Sequence, residues 1–197
     1  PHWSLPTVAE LRVMVYHTLA SGAKGIFFFT TNQSYIGPWS SRQWFYRGSG
    51  NAWFGKEDFL EEIGRVGEHL TTAGHLLIPL RYAPDYPVSV DPPQMFQAYV
   101  GGNRIREKVR PSCVLQLPVI HVGVFSGSNY DVLVIHNNDP WRSHSASVTL
   151  PDTLRENVFD LALLEPVSLT QGSQGATFSV NLKAGDGRLY LAGDDLA

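Results

Sequence analysis

The sequence predicts an α/β segment followed by an all-β antiparallel domain. Three observations carry this reading. A capped amphipathic helix near residues 7–20 leads through a tight turn into a continuously apolar run, Gly25 to Thr31. A second helical pattern follows from about Lys56 to Thr72. From about residue 86 onward the periodicity is that of strands separated by turns. We therefore divide the chain into residues 1–84 and 85–197.

The first helix has the clearest boundaries. Thr7-Val8-Ala9-Glu10 forms a capping box, in which the threonine hydroxyl and the glutamate each satisfy an otherwise orphaned N–H. Val8, Leu11, Val15 and Leu19 repeat at helical spacing, and Ser21-Gly22 supplies a left-handed stop. The run Gly25-Ile26-Phe27-Phe28-Phe29-Thr30-Thr31 is apolar without alternation. This suits a strand buried on both faces, as in a parallel sheet covered by helices. A long loop, Asn32 to Gly55, then carries Tyr35, Trp39, Trp44, Phe45, Tyr46, Trp53 and Phe54. Long loops rich in aromatics are functional more often than disordered.

In the second helix, Glu57 and Asp58 suit the positive end of the dipole. Phe59, Ile63, Val66 and Leu70 make its apolar stripe, Gly64 and Gly67 suggest close packing, and Gly74 is expected to end it. Ala83 to Pro93, with four prolines, reads as a linker into the second domain. Strands are expected at Val114 to Phe125 (broken at Pro118), Tyr130 to His136, His144 to Leu150, Asn157 to Leu164, Thr177 to Leu182 and Gly187 to Ala192. Ser126-Gly127-Ser128-Asn129 is a hairpin-type turn. Short turns between strands indicate an antiparallel β-sandwich.

Bulk composition narrows the function. The chain has 197 residues, 43% apolar and 17% charged, with a formal net charge of −3, which is enough apolar material for a buried core. No nucleic-acid partner is expected without a clustered basic surface. The run Arg104 to Arg110 is interrupted by Glu107 and reads as a solvated loop or helix face. Gly101-Gly102-Asn103 reads as a turn and not as a phosphate loop. No apolar segment is long enough to span a bilayer, so no membrane partner is expected. The single cysteine, Cys113, rules out an internal disulfide and a thiolate zinc site, and reads as a buried, inert thiol. The compartment is left open, secreted or periplasmic included. The start at Pro1-His2-Trp3, without Met, suggests a longer parent chain.

Two stretches carry a family resemblance. Pro6-Thr7-Val8-Ala9-Glu10-Leu11-Arg12, followed by Gly22-Ala23-Lys24-Gly25-Ile26 and the phenylalanine run, resembles the "P-T-x-x-E-L-R … G-A-K-G-I" step of clan A barrel glycoside hydrolases of the β-galactosidase type. His136-Asn137-Asn138-Asp139 and Lys183-Ala184-Gly185-Asp186-Gly187-Arg188-Leu189-Tyr190 resemble the small β-domain that trails such barrels. There the last strand follows a "PGDGRL"-like turn, and Ala184 stands where proline is expected.

The resemblance implies that residues 1–84 are the C-terminal portion of a (β/α)8 barrel, with Gly25 to Thr31 as strand eight. Residues 85–197 would be an antiparallel β-sandwich. Retaining glycosidases use two carboxyl groups about 5 Å apart. In this family they end strands four and seven, both of which would precede Pro1. The chain would then hold no catalytic carboxylate, and its partner would be the upstream barrel segment of the same parent chain. Glu10 caps a helix, while Glu57, Asp58, Glu61, Glu62 and Glu68 lie on the outer helix. What remains is one rim of a carbohydrate cleft. Its candidate substrate-binding residues are Trp3, Asn32, Tyr35, Trp39 and Trp44, with His2, Thr30 and Thr31 beside them.

No cofactor is expected. No histidine pair has the spacing of a helical zinc motif, and no metal site is expected, although His136, Asp139 and His144 could meet on neighbouring strands. The alternative function is a non-catalytic carbohydrate-binding or structural module, for which the aromatic loop and the sandwich would suffice.

Overall fold

A computed structural model describes residues 7–26, 57–105, 108–151 and 157–194, with side chains over 7–26, 61–97, 116–151 and 157–194. The phenylalanine run from Phe27 and the aromatic loop lie outside the described residues.

Helix α1 (Val8–Ala20) begins as expected. Glu10 N–H donates to the Thr7 hydroxyl and Thr7 N–H donates to the Glu10 carboxylate, closing the capping box. It ends at Ser21, and Gly22 then adopts φ +103°. Leu11, Val15, Tyr16, Leu19 and Ala20 are buried. Each large apolar side chain so buried contributes roughly 1.5–3 kcal/mol over an exposed one.

Helix α2 (Glu57–Leu77) runs past Thr72. Gly74 lies inside it, because the following turn is itself rewarded by burial: Ala73, Leu77 and Leu80 are all buried. Among the described residues, nothing lies within 4 Å of where a side chain would project from Gly64 or Gly67.

The remaining described elements are strands: β1 (Arg81–Tyr82), β2 (Ser89–Asp91), β3 (Met95–Ile105), β4 (Lys108–Pro118), β5 (Ile120–Ser126), β6 (Tyr130–Asn137), β7 (His144–Leu150), β8 (Asn157–Asp160), β9 (Glu165–Pro166), β10 (Thr170–Gly172), β11 (Gly175–Leu182) and β12 (Gly187–Gly193). They form a six-stranded sheet, β1-β5-β6-β12-β8-β9, a four-stranded sheet, β10-β11-β7-β2, and a β3-β4 ribbon. Every pairing among the described residues is antiparallel. The antiparallel sandwich is therefore present. The described residues contain no parallel barrel strand.

Several local expectations shift. The expected strand from Val114 to Phe125 is two strands, β4 and β5, parted at Val119. The stretch 101–103 is part of β3, not a turn, and Arg104 and Lys108 to Arg110 lie in the β3-β4 ribbon, not on a helix. Cys113 pairs with Val100 in that ribbon. The expected linker carries the chain between the sheets, since β1 joins the first sheet and β2 the second.

Two cores result. Leu133 and Ile135 of β6 point between the sheets, with Val148, Leu150, Phe178, Val180 and Leu182. Val132 and Val134 of the same strand point the other way, into a core shared with α1 and α2. The architecture is a three-layer stack of helices, six-stranded sheet and four-stranded sheet.

Close approach to the helix layer is made by residues without side chains. A methyl group at Gly123 of β5 would overlap the Ala20 carbonyl, and one at Gly187 of β12 would overlap the Tyr16 ring. Gly185, at φ +68°, sits against the Ala9 carbonyl.

Candidate functional site

The loop between β6 and β7 builds a site out of short-range hydrogen bonds. The Asp139 Oδ1 accepts from the backbone N–H of Trp141 (2.9 Å) and of Arg142 (3.2 Å). Its Oδ2 lies 3.0 Å from His144 Nε2. Burial pushes the Asp139 carboxyl upward, but the contacts from His144 and the two N–H groups outweigh it and hold the group below the usual carboxylate range. Asp139 N–H in turn donates to Asn137 Oδ1, and Asn137 Nδ2 donates to the carbonyls of Arg142 and Lys183. The loop is thus tied at both ends.

This loop lifts Trp141 to the surface, where it is 68% exposed. The indole stands beside Phe96 at the start of β3, ring centroids 5.6 Å apart and tilted by 48°. Together with Gln94, Gln97, Arg142 and His144 they line an open cleft of about 640 Å³. Two rings flanked by amides, a guanidinium and an imidazole suit a ligand with apolar faces and many hydroxyls. Both Asp139 oxygens are already engaged, so this carboxylate shapes the loop and is poorly placed to transfer protons.

A second group lies under α1. His17 of α1, His121 of β5 and His136 of β6 converge, and one ring nitrogen from each falls within 4.8 Å of the others. Their ring centroids are 5.4, 5.4 and 5.3 Å apart. His121 Nδ1 and His136 Nε2 are 3.3 Å apart. Burial, with His17 nearby, lowers the pKa of His121 to about 4. Burial likewise pushes that of His136 well below its usual value, helped by His121 and His17. Both rings are neutral near pH 7.

The sequence-derived candidates fall differently. Trp3, Asn32, Tyr35, Trp39 and Trp44, with His2, Thr30 and Thr31, lie outside the described residues. Of the three residues that could meet on neighbouring strands, Asp139 and His144 do meet, while His136 joins the other two histidines. Glu62, expected among the acids of the outer helix, is 6% exposed and accepts from Arg12 and Arg65. The pairing of His121 with His136 was readable in principle. Each lies five residues from the last hairpin pair, Ser126 and Asp131. The arrival of His17 depends on helix docking, and no local pattern reports that.

No family model matches the chain, and no curated protein matches it. The chain is similar to a solved structure described as the crystal structure of an Anoxybacillus alpha-amylase providing insights into a new glycosyl hydrolase subclass. The two share 10% identity with a TM-score of 0.35, over 66% of this chain and 23% of that chain. The chain thus spans less than a quarter of that enzyme, and so loose a likeness carries no argument about activity.

Proposed function

We propose that the chain is the C-terminal part of a glycoside hydrolase. Residues 1–84 supply the last βα steps of a (β/α)8 barrel, and residues 85–197 form an accessory β-sandwich. One observation supports this above the rest. The two family-like stretches, far apart in sequence, touch each other. Gly185 sits against Ala9, Gly187 lies under Tyr16, and Arg65 of α2 reaches Asp186 at 3.3 Å. Two further residues of the first stretch tie it to α2 and the turn that follows. Arg12 crosses to Glu62 with two hydrogen bonds of 2.8 Å, and Lys24 Nζ donates to the carbonyls of Ile78 and Leu80 beyond α2. That the two stretches meet in one joint supports reading them together.

In this reading both catalytic carboxylates lie upstream of Pro1, and Trp3, Asn32, Tyr35, Trp39 and Trp44 form one rim of the substrate cleft. The coding sequence before Pro1 is the test. It is expected to hold further βα units with Glu ending strands four and seven, and the parent chain is expected to cleave nitrophenyl glycosides that the 197-residue chain leaves intact. An upstream sequence without such units would end the proposal.

The cleft at Trp141 favours a second reading, a non-catalytic carbohydrate-binding role for the β-domain. Affinity electrophoresis through polysaccharide gels separates the two. Retention of the 197-residue chain, weakened roughly tenfold by Trp141→Ala, is the outcome of a binding module. Unretarded migration leaves only the first reading.

A further inference from the structure

We propose that His17, His121 and His136 form a binding site for a divalent transition cation of the zinc type, which pins α1 to the six-stranded sheet. Zinc is held by imidazole nitrogens at about 2.0–2.1 Å, and tetrahedral directions then place neighbouring ligand nitrogens about 3.3 Å apart and ring centroids roughly 5.2 Å apart. The His121–His136 nitrogen separation is 3.3 Å, and the three centroid distances are 5.3–5.4 Å. The widest nitrogen separation is within 4.8 Å, so closing the set asks for an adjustment on the order of 1 Å. His17 and His121, both only partly buried, can supply it.

The hydrogen bonds around the cluster select the right tautomer. Asn138 Nδ2 donates to the Pro118 carbonyl at 2.6 Å, which turns Asn138 Oδ1 toward His17 Nδ1 at 3.1 Å. His17 must therefore donate from Nδ1, leaving the lone pair of Nε2 for the cluster. A ligating histidine commonly donates its second N–H to such an oxygen. His136 is fully buried and presents Nε2 to the cluster, 3.3 Å from His121 Nδ1. One N–H between His121 and His136 satisfies a single lone pair, whereas a cation satisfies all three nitrogens at once. A water molecule would complete the tetrahedral shell.

The site is independent of the proposed glycosidase reading, since it lies within the helix–sheet joint. The experiment is titration of the chelator-stripped, dialysed 197-residue chain with Co2+, then Zn2+. One equivalent of Co2+ is expected to give the intense visible bands of a tetrahedral ion, and Zn2+ to displace it and raise the melting midpoint. His17→Gln and His121→Gln are expected to weaken binding by at least about 100-fold and to abolish the zinc-dependent shift while keeping the β-rich circular dichroism. Absence of the cobalt bands in the unaltered chain overturns the proposal whatever the variants do. So does binding that survives both substitutions.

Discussion

Glu62 is where burial and pairing oppose each other most directly. In the fold it shares a face of α2 with Val66, Ala73 and Leu77, all buried. Burial would raise its pKa, but the Arg12 and Arg65 guanidinium groups prevail and bring it down to about 2 from 4.5. The folded value is below the unfolded one, so the pairing stabilises the fold above about pH 4.5 and is lost as the pH falls toward about 2. In acid titrations followed by chemical denaturation, Glu62→Gln is expected to flatten this dependence. At neutral pH it is expected to cost about 3 kcal/mol, by leaving Arg12 without its counter-charge. A variant with the slope of the unaltered chain would show that the ion pair contributes little. The sequence gives the alternation of charge and apolar residues on α2, but not which acid turns inward. That choice needed Arg12, fifty residues earlier.

Two elements explain how the helix layer is seated. α1 lies so close to β5 and β12 that Gly123 and Gly187 have no room for a side chain. Gly123→Val is expected to push α1 off the sheet and lower stability by about 3 kcal/mol, read from thermal or denaturant midpoints. An unchanged midpoint would mean that α1 docks more loosely. β6 carries the other lesson. Its residues from Asp131 to Asn137 are continuously buried, yet both its neighbours run antiparallel. An unbroken apolar run reports that both faces are covered, by whatever covers them, and does not report strand direction. The same pattern at Gly25 to Thr31, read as a parallel strand, therefore does not by itself decide strand direction. β7 shows the converse: Ala146, Val148 and Leu150 are buried while Ser145 is exposed, as its alternation foretold.

For the molecule as a whole, the helix layer closes a sheet that would otherwise offer Phe125, Val132, Val134 and Leu189 to water. These residues are 0% exposed in the folded chain. A chain starting at residue 27 is therefore expected to bind the dye ANS more strongly, and to self-associate more in size-exclusion chromatography, than the full chain does. Equal dye binding by both would show that α1 is dispensable to this face. The three layers also account for the contact between family-like stretches at opposite ends of the chain: α1 covers the sheet in which β12 is a central strand.

Local chemistry was readable in the residues alone. The Thr7–Glu10 box, the Gly22 stop, the bounds of β7 and the turn before β6 each depend on hydrogen bonds or backbone angles within a few positions. The Asp139–His144 pair, five residues apart, belongs with them. Burial of both faces of β6, the inward turn of Glu62 and the meeting of His17 with His121 and His136 were decided by docking of layers. Such contacts join residues far apart in sequence: His17 and His136 are 119 positions apart. They follow from how surfaces fit together, and periodicity along the chain carries no record of which helix will lie on which sheet.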